Sequence, residues 1–195
     1  DFSEKIHLPI LMRVTTRMAH SRAVVNIKDE ARKENELNYN SKASDWVLLP
    51  AFARKRNVIV TGQQSMLEEK SLNSKYNKFI EGSNHKLGLI TSGIAFNYLS
   101  ECFPNGCPYP ILKISQYPLP KLLVNKLTAE CDEILVIEEG QPFIEDILKG
   151  IMPGNAIIKG RLSGELPRTG ELNPDIVKRS LGLPCEESFA PCEDV

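Results

Sequence analysis

The 195-residue chain lacks the features that mark several large classes of protein. Its 24 basic and 25 acidic residues leave a net charge of −1, which argues against a polybasic nucleic-acid binder and against an acidic disordered tail. Apolar runs such as Ile134–Ile137 are far shorter than the roughly 20 residues that cross a bilayer. No basic-then-apolar signal pattern opens the chain. We therefore expect a folded, cytoplasmic protein.

The sequence is also short of metal-binding and nucleophile motifs. Its five cysteines are irregularly spaced, form no C-x-x-C pair and are accompanied by only three histidines. The H-E-x-x-H, G-x-S-x-G, G-x-G-x-x-G and P-loop patterns are absent. We predict reduced thiols and no metal site, and we assign no catalytic residue. The sequence gives no role for Cys185 or Cys192.

From residue 86 to residue 182, strand-like and helix-like segments alternate. Four short apolar segments have strand composition, and amphipathic segments of helical spacing separate them. The four segments are Leu87–Thr91, Ile111–Ile114, Glu133–Glu138 and Asn155–Ile158. Such alternation predicts parallel pairing through right-handed crossovers. The fold class predicted is α/β, an open and mostly parallel sheet with helices on both faces.

The first 85 residues have a different character. Residues 9–16 are apolar and β-branched enough to predict a buried strand, whereas residues 28–45 are polar and predict a linker. The apolar spacing in residues 61–80 predicts one helix. The chain begins with Asp rather than Met, so we expect a piece of a longer polypeptide.

Polar residues at the expected carboxyl edge of the sheet are candidate ligand contacts, because ligands of such sheets bind there. Ser92 and Gly93 open a helix whose backbone N–H groups are candidates to hold an anion. Glu138 and Glu139 end the most apolar strand and are candidate acids, bases or ligands. An ordinary strand-to-helix turn and a negatively charged helix start explain the same residues without a ligand.

Two further clusters lie outside this edge. Thr16, Arg17 and His20 belong to a dense polar group that is a candidate to border a cleft, since an arginine binds anions in a fork and a histidine shuttles protons. A domain interface is the alternative explanation. Near the other end of the chain, residues 164–174 form a turn-rich connector, and Arg161, Arg168 and Glu171 suggest that it docks through salt bridges.

Four stretches together resemble one enzyme family. They are Leu8–Ser21 (LPILMRVTTRMAHS), Leu87–Tyr98 (LGLITSGIAFNY), Ile134–Glu139 with Pro142–Glu145, and Pro167–Pro174 (PRTGELNP). In this order they resemble the alpha subunits of indolepyruvate:ferredoxin oxidoreductases, which are thiamine-diphosphate-dependent 2-oxoacid:ferredoxin oxidoreductases. The resemblance covers most of the chain and is less clear over residues 28–85.

The resemblance implies a domain organisation. Residues 1–27 are the end of a pyrimidine-binding domain, 28–85 a linker with one helix, 86–182 a transketolase-C-terminal-like domain, and 183–195 a linker to a missing downstream domain. It also implies that the parent enzyme oxidatively decarboxylates aryl 2-oxoacids to acyl-CoA and passes electrons to ferredoxin.

The same resemblance implies the cofactors and partners. The parent contains thiamine diphosphate, magnesium and 4Fe-4S clusters, whereas none is expected on this chain, which acts as an inactive docking domain. The implied partners are other domains of the polypeptide, a smaller beta subunit, ferredoxin and coenzyme A, without nucleic acid or membrane, and self-association is expected. The alternatives are an independent anion- or nucleotide-binding α/β module and a fragment of a transketolase-like enzyme without electron transfer.

Overall fold

A computed structural model describes residues 2–27, 34, 42, 44, 46–47, 49–151 and 157–185. The chain divides into two compact units, Asp1–Ala43 and Ser44–Val195. Most of the predicted linker at 28–45 lies outside the described residues, as do Cys192 and the first two residues of the predicted strand at 155–158. None of the described helices combines the length and apolar character needed to cross a bilayer.

The first unit contains two short helices, α1 (Phe2–Ile6) and α2 (Thr16–His20). The Thr15 hydroxyl accepts a hydrogen bond from the Met18 N–H at 3.3 Å and so caps α2. The strand predicted over 9–16 is wrong, because residues 9–15 are in neither helix nor strand. A segment rich in apolar and β-branched residues forms a strand only where another strand supplies hydrogen bonds. The described part of this unit contains no strand.

The second unit alternates strands and helices as predicted. After two helices and an edge strand, four strands are each followed by a helix. In chain order the elements are α3 (Pro50–Gly62), α4 (Gln64–Leu72), β1 (Lys78–Ile80), β2 (Leu87–Ser92), α5 (Ala95–Cys102), β3 (Ile111–Ile114), α6 (Lys121–Glu130), β4 (Glu133–Ile137), α7 (Phe143–Ile151), β5 (Ile157–Lys159) and α8 (Pro174–Ser180). The strands predicted over 87–91, 111–114 and 133–138 are confirmed to within one residue at each end, and residues 157 and 158 of the fourth predicted strand lie in β5.

The five strands form one sheet in the order β1-β3-β2-β4-β5. The pairs β3–β2, β2–β4 and β4–β5 are parallel. The edge strand β1 pairs antiparallel with β3. In the centre of the sheet, Leu89 of β2 lies opposite Leu135 of β4. The open, mostly parallel sheet predicted from the sequence is therefore confirmed.

Alternation along the strands divides the core into two layers. Leu89, Leu135 and Ile137 face one side of the sheet and pack with residues of α5 and α8. Ile90 and Val136, their sequence neighbours, face the other side and pack with residues of α6 and α7. Because side chains alternate with a period of two, a continuous apolar run such as β4 fills both layers. The helices on both faces are thus confirmed.

The single helix predicted over 61–80 is wrong. Pro50 begins α3 at the first helical position, α4 ends at Leu72, and the last part of the segment is strand β1. A turn at Asn77 separates α4 from β1, because the Asn77 side chain binds the loop after β3. Its Oδ1 accepts hydrogen bonds from the N–H groups of Ser115 and Gln116 at 2.7 and 2.9 Å.

Candidate functional site

The strand order predicts a crevice at the carboxyl ends of β2 and β4. The chain passes from β2 to β3 on one side and then to β4 on the other, so the connections leave β2 and β4 in opposite directions. Helix α5 packs on one face, and α6 and α7 pack on the other. The pair Thr91 and Ile137 puts Ser92 and Glu138 at adjacent strand ends. Such a reversal of strand order is where ligands of open α/β sheets bind.

A tight turn joins β2 to α5 at this crevice. Gly93 has a φ of 58°, in the left-handed region that glycine adopts without strain. No side chain caps the start of α5 at Ile94, and the nearby Phe96 and Asn97 N–H groups donate back to the Gly93 and Ile94 carbonyls. Ser92 is half-buried at the end of β2. The anion-binding role of Ser92 and Gly93 stays a prediction.

The Glu138 carboxylate binds the start of α7. It accepts hydrogen bonds from the Ile144 N–H at 2.9 Å and from the Glu145 N–H at 3.1 Å, and its side chain is buried. These contacts satisfy two of the N–H groups that every helix leaves open at its beginning. Burial raises the pKa of Glu138, while the backbone hydrogen bonds act in the opposite direction.

Glu139 contacts a different part of the chain. Its carboxylate accepts a hydrogen bond from the Leu172 N–H at 3.2 Å, which joins the end of β4 to the connector before α8. The two consecutive glutamates thus bind backbone on two separate segments, α7 and the connector. Whether either also acts as an acid, base or ligand stays a prediction.

Arg161 lies beside these glutamates and is only 3% exposed. Its Nε donates to the Glu138 carbonyl at 3.0 Å, and its Nη1 donates to the Pro167 carbonyl at 2.6 Å. The suggestion that the connector docks through salt bridges is therefore wrong for Arg161, since both of these partners are backbone carbonyls. Arg168, by contrast, is exposed and donates to the Gln141 side chain at 3.2 Å.

Thr16, Arg17 and His20 all lie on α2, in the first unit. They are exposed and fall within one short helix rather than at the end of a strand. The three polar side chains thus lie within five consecutive residues of one helix. Their place beside a cleft stays a prediction.

Sequence reasoning missed an apolar cavity of about 350 Å³ on the α6 and α7 side of the sheet. The loop after β3 contributes Tyr117 and Leu119, α6 contributes Val124, and α7 contributes Phe143 and Ile147. No sequence motif marks it, because its walls come from three separate segments of the chain, α4, residues 117–124 and α7. The one signal is the row of apolar residues around the Pro118 and Pro120 turn.

The cysteines offer little nucleophilic chemistry. None of the four described cysteines is in a disulfide. Burial raises the pKa of the Cys102 thiol to about 11 and also raises the pKa of Cys107 and Cys131. With a pKa of about 11, the Cys102 thiol is protonated at neutral pH and is a poor nucleophile.

Magnesium binds clustered oxygen ligands such as carboxylates, and iron–sulfur clusters bind several cysteines. No three His, Cys, Asp or Glu side chains in the described ranges gather closely enough to hold a metal ion. The carboxylates nearest the crevice, Glu138 and Glu139, both accept backbone hydrogen bonds. The described residues therefore do not form a ligand set for magnesium or for an iron–sulfur cluster.

The sheet order and the crevice define a doubly wound α/β domain whose polar groups at the strand ends mainly bind backbone. The whole chain is 30% identical to the indolepyruvate oxidoreductase subunit IorA of Methanothermobacter thermautotrophicus, over 33% of that protein. Over 89% of its length it is 30% identical to IorA of Archaeoglobus fulgidus, and over 76% it is 28% identical to IorA of Pyrococcus abyssi.

These relatives confirm the resemblance to the alpha subunits of indolepyruvate:ferredoxin oxidoreductases. The chain spans about a third of the length of the curated relatives it matches. No protein-family model matches the chain. The activity named for the relatives is that of proteins about three times as long as this chain.

Proposed function

We propose that the chain is a structural and docking part of a 2-oxoacid:ferredoxin oxidoreductase. The parent enzyme oxidatively decarboxylates an aryl 2-oxoacid, of which indolepyruvate is the named example, to an acyl-CoA and passes the electrons to ferredoxin. The observation that carries this proposal is similarity along the entire chain to subunits named indolepyruvate oxidoreductase IorA. In this proposal residues 1–27 complete a pyrimidine-binding domain and residues 86–182 form a transketolase-C-terminal-like domain.

The cofactors of the parent would be held elsewhere in the polypeptide. Thiamine diphosphate, magnesium and 4Fe-4S clusters supply the carbanion and electron-transfer chemistry, and protein domains position them. The proposed partners are other domains of the polypeptide, a smaller beta subunit, ferredoxin and coenzyme A, in the cytoplasm. The contacts of Glu138, Glu139 and Arg161 support a structural role, because each of these side chains binds backbone groups.

Helix α3 supports the docking role. Val58 is 73% exposed and Ile59 is half exposed, although both are apolar, and no residue described in this helix is buried. Two consecutive large apolar side chains that are exposed on an unburied helix are typical of a surface that another domain covers. We propose that this face of α3 contacts another domain of the parent enzyme.

Val58→Asp in the full-length subunit is expected to weaken assembly of the enzyme about tenfold, because a carboxylate replaces an apolar side chain in the proposed contact. The stability of the 195-residue chain is expected to change by less than about 0.5 kcal/mol, since Val58 is exposed there. Analytical ultracentrifugation measures the first quantity and urea unfolding the second.

The matched control is Asn57→Asp, which adds the same charge at the preceding exposed position and removes no apolar group. Assembly is expected to be unchanged in this variant. Equal assembly of wild type and Val58→Asp would contradict the docking role of α3. Equal weakening by both variants would show a general charge effect and would contradict it as well.

We further propose that Thr16, Arg17 and His20 border the catalytic cleft of the parent enzyme. In the full-length subunit, Arg17→Ala is expected to lower kcat/KM about ten- to a hundredfold, because a charged hydrogen bond of roughly 1.5–3 kcal/mol to the substrate carboxylate or a diphosphate oxygen is lost. Arg17→Lys is expected to restore only part of the activity, since the guanidinium fork is absent. Steady-state kinetics measures both variants.

Arg22→Ala, which truncates another exposed arginine of the same unit, is the control and is expected to retain wild-type kcat/KM. Thermal melting of each variant separates a kinetic effect from an unfolding effect. Wild-type kcat/KM in Arg17→Ala would contradict a place beside the cleft. A loss of kcat/KM that accompanies a lower melting temperature would also contradict it.

A further inference from the structure

Side-chain hydrogen bonds fix the backbone that lines the apolar cavity beside α6 and α7. The Asn77 Oδ1 accepts hydrogen bonds from the N–H groups of Ser115 and Gln116. These contacts hold the loop after β3 directly before Tyr117. The Ser71 hydroxyl oxygen lies 2.9 and 2.5 Å from the carbonyl oxygens of Gln116 and Pro118, which share its single proton. Buried polar groups that are satisfied in this way fix one conformation of a loop.

The opposite wall is fixed by a different contact. Phe143 begins α7, and the Glu138 carboxylate binds the next two N–H groups of that helix, those of Ile144 and Glu145. The backbone on both sides of the cavity is therefore held before any ligand arrives. A preformed cavity loses little conformational entropy on binding, which favours a specific small ligand.

The walls are aromatic and aliphatic. Tyr117 and Phe143 meet edge to face, with ring centroids 5.5 Å apart and planes at 71°, and both rings are about half exposed. Leu119, Val124 and Ile147 complete the apolar lining. An edge-to-face pair leaves ring surface available for a third ring, which gains contact energy beyond simple burial. The volume of about 350 Å³ lies within the roughly 300–1,000 Å³ of small-molecule sites.

The charged residues of the lining compensate each other. Lys121 Nζ lies 2.6 Å from Glu68 Oε1, so neither charge in this pair needs a ligand group. A charged ligand would lose hydration in an apolar cavity without gaining an unpaired partner. The electrostatics of the cavity therefore favour an uncharged ligand.

We propose that this cavity binds a small, uncharged aromatic molecule between Tyr117 and Phe143. The site lies on the second unit alone and does not depend on the function proposed for the parent enzyme, because all of its walls belong to residues 68–148. It also contains none of the residues that were considered for anion binding at the strand ends.

Ligand-observed fluorine NMR on the 195-residue chain tests the proposal with three matched probes. These are para-fluorobenzyl alcohol, which is neutral, para-fluorophenylacetate, which is an anion, and para-fluorobenzylammonium, which is a cation. Saturable binding of the alcohol is expected, and each ion is expected to bind at least about tenfold more weakly because of its desolvation. Binding of either ion more tightly than the alcohol would overturn the assignment of an uncharged ligand.

Variants locate the binding. Phe143→Ala is expected to weaken binding of the alcohol about tenfold, because a ring contact and apolar area are lost. Tyr117→Phe keeps the ring and is expected to bind within about twofold of wild type. Leu122→Ala truncates an exposed residue of α6 that does not line the cavity and is expected to have no effect.

Phe143 is 53% exposed, so its truncation is expected to leave the fold intact, and thermal melting checks this. If Phe143→Ala melts early, Ile147→Ala supplies the same test from the next turn of α7. The proposal is overturned by binding that does not saturate, by equal weakening in Phe143→Ala and Leu122→Ala, or by loss of binding in Tyr117→Phe.

Discussion

Arg161→Ala is expected to lower the free energy of unfolding by about 2–4 kcal/mol. The substitution removes the donors of two hydrogen bonds and leaves the carbonyls of Glu138 and Pro167 without these partners in a buried place. The alanine variant no longer incurs the cost of moving a guanidinium out of water on folding, and this offsets part of the loss. Urea unfolding at pH 7 measures the change.

Arg168→Ala is the matched control, since it removes the same side chain from an exposed position of the same connector. It is expected to change stability by less than about 0.5 kcal/mol. Arg161→Lys is expected to recover little, because one ammonium group cannot reproduce the fork of Nε and Nη1. Similar losses in Arg161→Ala and Arg168→Ala would contradict the assigned role of Arg161.

Hydrogen exchange in the connector is a second measurement of the role of Arg161. Arg161 fixes Pro167, and Glu139 binds the Leu172 N–H five residues later, so both contacts hold the same connector on the sheet. In Arg161→Ala, hydrogen exchange at the Leu172 amide is expected to accelerate more than exchange in β2, because local opening precedes global unfolding. Equal acceleration in both places would indicate only a global loss of stability.

The sequence predicted the part of the fold in which local pattern and burial agree. Strands such as β4 are buried on both faces and are therefore continuously apolar, and the intervening helices have one apolar face. Their starts also carry local signals. For example, the Asn173 side chain accepts a hydrogen bond from the Ile176 N–H at 2.8 Å and caps the start of α8. Local chemistry was sufficient in this region.

The errors lie where distant residues decide the structure. The helical spacing of apolar residues in 61–80 is real, but Asn77 binds backbone groups almost forty residues away and turns the chain into β1. At residues 9–16 the composition favours a strand, but the described residues of that unit contain no strand to pair with it. Neither fact is encoded within the window that periodicity covers.

The candidate site was predictable to a similar extent. Parallel strands bring Ser92 and Glu138 to adjacent ends because the sheet edge follows from the strand pattern. The partners of these residues were not predictable, since Arg161 reaches Glu138 from twenty-three residues away. The cavity between Tyr117 and Phe143 was not predictable either, because the two rings meet only when α6 and α7 pack on the same face of the sheet.

Gly82→Ala is expected to be strongly destabilising, by about 3 kcal/mol, for a steric reason. A Cβ at Gly82 would lie 2.6 Å from the Pro108 carbonyl oxygen and would overlap the Tyr109 carbonyl carbon and the Pro110 nitrogen as well. These are backbone atoms at the entry to β3, and the Asn84 N–H donates to the same Pro108 carbonyl at 2.9 Å. Neither segment can therefore move aside without loss of hydrogen bonds.

Gly62→Ala provides the comparison, because no atom lies within 4 Å of the Cβ that it would add at the end of α3. Alanine favours a helix over glycine by up to about 1 kcal/mol, so this variant is expected to be as stable as wild type or slightly more stable. Urea unfolding of both variants tests the close approach of the two segments. If Gly82→Ala unfolds at the wild-type urea concentration, the turn at residues 81–84 does not pack against Pro108–Pro110 in solution.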